Sequence, residues 1–376
     1  VIDATVNLSH ESRGLESSLV GNVGYRYYVD GAYDDDTVGN LYGVARFIVT
    51  PEAFSWVVED RFGTLQQNPY DAATPDNLEN VNNFGTGPDF RLRLGEVAAV
   101  ELSGRYRYNW FEESIADNEN IGGELRLVRT LSSKRDISLS YRMDTVEYKD
   151  ETVGGDFDRA IATIGIRSEM SRGSVSLDVG MNEIEADGNE ADGFYGMFRL
   201  TRELTSRSTL SINYDQRYSE AGDIFRIFQD PGREPGDDIL DIPAVGDPFE
   251  ARRFTIGLDH ERERGGWFAS AYTIDEDYVD VSALDRTRLG LSAGFDRRLG
   301  ANWDARLSVR YENLDLSIDG TDYDDTYWNA RLSRRLSRSL FLNFDYLLAT
   351  RNSEAPNGDY VENRIGVAIR YASIRE

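Results

Sequence analysis

The 376-residue chain contains no cysteine, two histidines and only nine prolines. Without a thiol there is neither a disulfide framework nor a thiolate for catalysis, zinc or an iron–sulfur cluster. With His10 and His260 as the only imidazoles, a histidine base has almost nowhere to sit. Asp259 and Glu261 flank His260, but on an extended strand neighbours point to the opposite face, so they cannot orient its ring. An enzyme is therefore not expected. Long apolar runs are also missing, since none exceeds roughly five residues where a membrane-spanning helix needs about 18. Mean hydropathy is -0.51. Lysine is nearly absent as well: only Lys134 and Lys149 occur, so 39 of the 41 basic residues (41 − 2) are arginine. The net charge of -26 argues against a nucleic-acid partner.

What is present is alternation. In RLRLGEVAAVELSGRYRYNW, residues 91 to 110, Leu92, Leu94, Val100, Leu102, Tyr106, Tyr108 and Trp110 stand on one face. Arg91, Arg93, Glu101, Arg105 and Arg107 stand on the other. The same period of two recurs in Leu41-Gly43-Ala45-Phe47-Val49, Ile137-Leu139-Tyr141-Met143, Trp303-Ala305-Leu307-Val309-Tyr311 and Ile365-Val367-Ile369-Tyr371. No sustained helical spacing competes with it, so the chain reads as nearly all β.

Connections alternate in kind. Tight turns are expected at 50–53, 95–98, 132–136, 170–173, 205–208, 262–265, 300–301 and 337–339, and longer acidic loops between them. Two segments are much longer, 64–87 and 219–249. Leu94, Leu131, Leu204, Leu299 and Leu336 each close a strand before a tight turn, and both Leu94 to Leu131 and Leu299 to Leu336 span 37 residues. The unit is one hairpin. Eighteen strands fit between Ser18 and residue 371, each about long enough to cross a bilayer when tilted. Residues 4 to 10 alternate too, and ESRG after them resembles the tight turns. Residues 1–17 are then either an N-terminal segment or an extra strand with a partner upstream of Val1, and the range is eighteen to twenty strands. Residues 18–371 form a single barrel in this reading, followed by a tail over 372–376.

Hydrocarbon offers no hydrogen bonds, so a β structure that spans it must close on itself and turn its apolar side outward. The expected fold is an all-β, transmembrane, antiparallel up-and-down barrel with short periplasmic turns and long acidic extracellular loops. Its wet interior takes the charged face. The expected pore-lining residues are Arg26, Arg46, Glu59, Arg61, Arg91, Arg93, Glu101, Arg105, Arg107, Glu124, Arg126, Arg142, Asp144, Arg199, Asp215, Arg217, Arg306, Arg310, Arg331, Asp345, Arg364 and Arg370, with Arg159 in the same ladder. They act either as a charged channel wall that selects solutes or as a cross-strand lattice that stiffens the barrel, and both can hold. Trp56, Trp267 and Trp303 follow short turns while Trp110 and Trp328 end strands at the loop side, as two interfacial girdles would. Outward arginines at 129, 202, 297 and 334 fall near short turns, where long side chains snorkel toward lipid phosphates.

One uncertainty lies at 266–278, where either Trp267-Ala269-Ala271 or Phe268-Ser270-Tyr272-Ile274 faces lipid. No cofactor is expected beyond loosely held Ca²⁺ or Mg²⁺ at acidic runs such as Asp34-Asp35-Asp36 and Asp322-Tyr323-Asp324-Asp325. The 64–87 segment, rich in Asn and Gly, is expected to form an ordered lid or constriction. The 219–249 segment carries Ile224, Phe225, Ile227, Phe228, Ile239, Leu240 and Ile242, and is expected to enter the lumen, cap it or meet a partner.

The run Asn68-Pro69, Thr74-Pro75-Asp76-Asn77, Glu79-Asn80-Val81-Asn82 and Gly87-Pro88-Asp89, followed by RLRL and GRYRY, resembles the outer-membrane β-barrel porins that accompany exopolysaccharide or exosortase-type gene clusters. The arginine-bearing hairpins extend that resemblance over most of the chain. It implies an outer-membrane pore of a Gram-negative bacterium for polymer export, with outer-membrane lipid, LPS, polysaccharide and periplasmic export components as partners. From the residues alone the reading is a porin-like passive channel for polar solutes, or else a loop-plugged barrel with a structural or surface-interaction role.

Overall fold

The computed structural model describes residues 2–27, 36–66, 75–114, 116–150, 155–186, 189–220, 222–223, 248–279, 281–316, 321–338, 340–353 and 358–371. Alternating sequence becomes strand throughout. The first eight strands are β1 (Ile2–Glu11), β2 (Leu15–Arg26), β3 (Asp36–Thr50), β4 (Phe54–Gln66), β5 (Leu78–Arg93), β6 (Ala98–Phe111), β7 (Asn118–Ser132) and β8 (Arg135–Tyr148). They are followed by β9 (Phe157–Met170), β10 (Gly173–Ala186), β11 (Asn189–Thr205), β12 (Ser208–Ser219), β13 (Phe249–Arg262) and β14 (Gly265–Tyr278). The last are β15 (Arg286–Arg298), β16 (Trp303–Leu316), β17 (Thr321–Arg335), β18 (Leu340–Ser353) and β19 (Tyr360–Tyr371). All nineteen belong to one sheet. No described helix is long and apolar enough to cross a membrane.

Pairing is antiparallel between neighbours in sequence, shown in register from β1 through β8, for β11 with β12, and from β14 through β19. The eighteen expected strands are β2 to β19, and the N-terminal alternation is the nineteenth. ESRG does turn the chain, and it joins β1 to the downstream strand β2, with Ile2 opposite Tyr25 and Glu11 opposite Glu16. β2 accordingly begins at Leu15, ahead of Ser18.

The contacts gather into two compact units, one of residues 1–166, 178–195 and 217–249, the other of 167–177, 196–216 and 250–376. In both, one face of the sheet presents bare hydrocarbon. Leu139, Met143 and Met181 are more than half exposed in the first unit, and Leu289, Leu307, Val367 and Ile369 are among the exposed side chains of the second. Register aligns them into apolar rows, such as Leu102, Leu125 and Tyr141 across β6 to β8. A water-soluble domain does not leave apolar rows of this extent open.

Outside residues 67–74, which lie beyond the described residues, the 64–87 segment is strand and turn, where a lid or constriction was expected. β4 continues to Gln66 and β5 starts at Leu78, so most of it is paired strand, with a single 3-10 turn at Pro75–Asn77. Asn is a poor strand former in general because its amide competes for backbone hydrogen bonds. Here each amide is occupied across the sheet instead: Asn82 donates to Asp60 (3.2 Å), Asn80 to Glu112 (2.7 Å), and Asn83 to Asn109. Gly85 leaves the space that the Glu59 side chain fills, and Gly87 allows close approach of the Gly104 carbonyl.

The orientation of β14 is also settled. Trp267, Ala269 and Ala271 stand opposite the apolar-face residues Phe295, Ala293 and Leu291. Phe268 and Tyr272 lie on the polar face, their rings over Gly294 and Gly290, where any Cβ would collide with them.

Strands run to 17 residues, longer than the roughly ten residues that a tilted strand needs to cross a bilayer. The added length lies at the long-loop end, where the outer face turns polar: Thr287 bonds Asp275 (3.0 Å), Tyr311 bonds Asp324 (2.5 Å) and Tyr346 bonds Asn363 (2.8 Å). On β16 the apolar stretch is bounded by Trp303 and by Val309, opposite which stands Trp328. Six residues of strand, roughly 20 Å, separate these tryptophan levels, close to the apolar band of a barrel wall.

Candidate functional site

The charged face is where chemistry concentrates. Of the expected lining residues, Arg26 and Arg370 have side chains outside the described set, as does Asp36, and Asp34, Asp35 and Ile224 to Ile242 lie outside it altogether. Of the other lining residues, those on β3 to β8 and on β16 to β19 fall on the polar face of the sheet by register.

In the first unit they form a web that crosses strands. Asp89 on β5 accepts a hydrogen bond from Arg105 of β6 (2.6 Å) and pairs with Arg46 of β3 (3.8 Å). Arg91 faces Glu101 directly across the β5–β6 pair (3.5 Å), and Arg93 reaches Glu52 in the β3–β4 turn (2.8 Å). All of these but Arg93, with Glu16, Glu124 and Arg126, border a cleft of about 460 Å³ beside that turn. Arg126 donates to Ser138 (3.1 Å), and Arg61 lies 4.5 Å from the ring centre of Tyr42.

Farther along the strands the web becomes buried. Arg107 stands 3.9 Å from both Glu59 and Asp144. Asp144, 3 % exposed, also receives Arg142 (2.7 Å) and Arg159 (3.4 Å). Arg159 turns its other nitrogen to Asp223 (2.6 Å) and to the carbonyl of Tyr218 (3.1 Å). A carboxylate shared by several guanidiniums is stabilised in its ionised form only because the positive charge surrounds it. Next to this cluster Asn109 accepts from Asn83 and donates to Asn118 (2.7 Å). Gly222 sits against Asn109 so closely that a Cβ would strike its amide.

Asp223, Gly222 and the asparagine row are the functional candidates that alternation cannot reveal. Asp223 belongs to a loop, and its partner Arg159 lies 64 residues away in sequence. Glu79 is similar: its carboxylate, 1 % exposed, accepts from the backbone N–H groups of Glu113 (3.1 Å) and Ser114 (2.9 Å) and so fastens the loop after β6.

In the second unit the charges form a row. Asp296, Arg306, Arg331 and Asp345 stand side by side on β15, β16, β17 and β18, with Arg331 and Asp345 ion-paired. Arg310 lies between Glu312 (3.6 Å) and the Tyr327 ring (4.4 Å), and Tyr272 donates to that same Glu312. Arg351 grips Asp325 with two nitrogens (2.8 and 2.7 Å) beneath the Tyr323 ring. Arg199 stands opposite Asn213, Asp215 opposite Met197, and Arg364 opposite Leu347. Opposite charges on adjacent strands both neutralise one another and fix register.

His260 lies on the apolar face, stacked on Trp267 (5.5 Å), with Ser208 on Nδ1 (2.8 Å) and the Arg262 guanidinium on Nε2 (3.1 Å). Both ring nitrogens are engaged, one of them by a cation. Lys149, just past β8, donates to Tyr108 (2.5 Å), and that bond raises its ammonium pKa. Among the described residues no group of three or more His, Asp or Glu gathers as a metal site. Asp324 is taken up by Tyr311 and Asn313, and Asp325 by Arg351.

The tryptophans mark two levels. Trp56 and Trp267, just past short turns, are partly exposed on the apolar face, and so are Trp110 and Trp328 toward the loops. Trp56 donates its indole N–H to Thr86 (2.8 Å), and Trp303 carries the Arg334 guanidinium over its ring (5.3 Å).

No protein-family model matches the chain, and no curated protein does. Solved structures do. The FrpB iron transporter from Neisseria meningitidis (F3-3 variant) superposes with a TM-score of 0.54 at 11% identity, over 98% of this chain and 70% of that one. The siderophore receptor PirA from Pseudomonas aeruginosa gives 0.53 at 11% identity, over 98% and 69%. The ferric citrate transporter FecA in its unliganded form gives 0.52 at 10% identity, over 98% and 74%. At such identity the likeness concerns architecture and carries no ligand with it. The fold of this chain is that of the outer-membrane β-barrels.

Proposed function

We propose that the chain is a channel of the Gram-negative outer membrane, with its apolar face in lipid and its arginine-rich face around an aqueous lumen that polar solutes cross passively. The observation that carries this reading is the division of the sheet into two chemically opposed faces. Leu307 and Val367 are exposed hydrocarbon on one, while Asp296, Arg306, Arg331 and Asp345 form a charged row on the other. A soluble fold would invert this arrangement, since several buried ion pairs cost more in desolvation than an apolar core. The long acidic loops then face outward toward LPS, with Ca²⁺ or Mg²⁺ bridging them loosely.

An exopolysaccharide is the solute we favour. The lumen face offers donors and acceptors in alternation, Arg105 beside Asp89 and Asn83 beside Asn109, as a hydroxyl-rich polymer requires. The resemblance to porins of exopolysaccharide clusters agrees, and periplasmic export components would then be partners. Catalysis is no part of this proposal.

A specific observation favours a second reading, a barrel occluded by its own loop: Asp223 is held against the lumen face by Arg159. Planar-bilayer recording separates the two. A conducting barrel passes current as purified, whereas an occluded one passes it only after residues 222 to 247 are deleted. Absence of current from both forms contradicts the channel.

A further inference from the structure

Many arginines of the polar face are ion-paired, among them Arg105 with Asp89, Arg142 with Asp144 and Arg331 with Asp345. Two on the apolar face are not. Arg297 and Arg334 are exposed near the short-turn ends of β15 and β17 in the second unit, and neither forms an ion pair among the described residues. Arg298 and Arg335, their immediate neighbours on the other face, pair with Asp304 (3.6 Å) and lie over Phe341 (5.7 Å) respectively. An uncompensated cation set among apolar side chains, in a chain of net charge -26, calls for an anion from outside.

The ground between the two is shaped to receive one. Ala305 of β16 stands directly beside Arg297, and Leu332 of β17 stands on its other side. One step toward the turn, Trp303 stands beside Arg334 and carries that guanidinium over its ring (5.3 Å). The arginines are two strands and two residues apart, about 12 Å, and the methyl of Ala305 leaves a shallow floor between them. Leu299 and Leu336, 60 % and 47 % exposed, continue the apolar surface past each arginine toward its turn. Tryptophan at this level marks the seam between hydrocarbon and headgroups, where a long cationic side chain keeps its charge in the polar layer.

We infer that Arg297 and Arg334 bind the phosphate of a membrane phospholipid over Ala305, with Trp303 as one wall and the acyl chains running back along Leu307 and Phe295. Guanidinium suits phosphate because it presents two parallel N–H donors. The inference rests on the membrane reading above, and its test distinguishes the two.

Full-length protein is reconstituted in phosphatidylglycerol bilayers, extracted in mild detergent, and analysed by native mass spectrometry for retained phosphatidylglycerol, with the phosphate-free lipid diacylglycerol as comparison. Wild type retains phosphatidylglycerol and not diacylglycerol. Arg297→Gln with Arg334→Gln lowers phosphatidylglycerol affinity about tenfold, the loss of charge-assisted hydrogen bonds, while Arg298→Gln with Arg335→Gln does not. Arg297→Lys with Arg334→Lys recovers part of the affinity. Equal retention by the Arg297/Arg334 and wild-type proteins, or equal loss in both double variants, overturns the site. Failure of the wild type to enter bilayers at all overturns the membrane reading instead. Heat-modifiable mobility in gels confirms that each variant is folded.

Discussion

Asp223 accepts a hydrogen bond of 2.6 Å from Arg159 at a point where the two residues are only 6 % and 3 % exposed. One comes from the loop after β12 and the other from the third residue of β9. Breaking one side of a buried ion pair strands the other charge, which costs about 3 to 5 kcal/mol. Arg159→Ala and Asp223→Asn are expected to lower the urea midpoint of the folded protein clearly, and Arg159→Met with Asp223→Leu to lower it by less than the two single losses combined. Equilibrium unfolding monitored by tryptophan fluorescence checks this, and an unchanged midpoint for Asp223→Asn contradicts it.

The rings of Tyr272 and Phe268 occupy the space that Cβ atoms at Gly290 and Gly294 would need. Gly290→Val is expected to destabilise by about 1 to 3 kcal/mol, the usual cost of overpacking. Gly300→Ala, in a turn with nothing near, is the control and leaves stability within about 0.5 kcal/mol. Equal effects of the two substitutions would remove the packing argument.

The absence of natural cysteine makes face assignment directly measurable. On β14, a fluorophore at Ala269→Cys is expected to be quenched by lipid-resident nitroxides, and one at Ser270→Cys by aqueous iodide. The opposite pattern puts Phe268 and Tyr272 in lipid and refutes the register described for β14 and β15.

The charged row predicts ion preference. Replacing Arg306 and Arg331 by Gln leaves Asp296 and Asp345 on their own, so in a salt gradient the reversal potential moves toward cation selectivity. No shift in that potential means that the row stiffens the wall without facing the permeating solution.

Period-two alternation was enough to read the strands, to bound their number at eighteen to twenty and, β14 apart, to tell their two faces, because a spanning wall imposes one chemistry on each side over its whole length. Where the wall ends, that signal ends too. The Asn80 to Asn83 stretch reads as loop, since asparagine is a poor strand former, yet cross-strand amide bonds to Asp60, Glu112 and Asn109 hold it in β5. β14 was ambiguous because Ala269 and Ser270 differ little in polarity, and the glycines that decide its orientation lie on β15. The Arg159–Asp223 pair was illegible for another reason: it joins a strand to a loop, and no periodicity links the two.

The central claim is that the polar face meets the solution through which solutes pass. The most direct measurement is single-channel current from β16 cysteine variants treated with a membrane-impermeant, charged thiol reagent. Modification at Ser308→Cys and Arg310→Cys should reduce the current stepwise, while Leu307→Cys and Val309→Cys remain unaffected. Reduction at Leu307 and Val309 instead, or no dependence on face, would contradict the account.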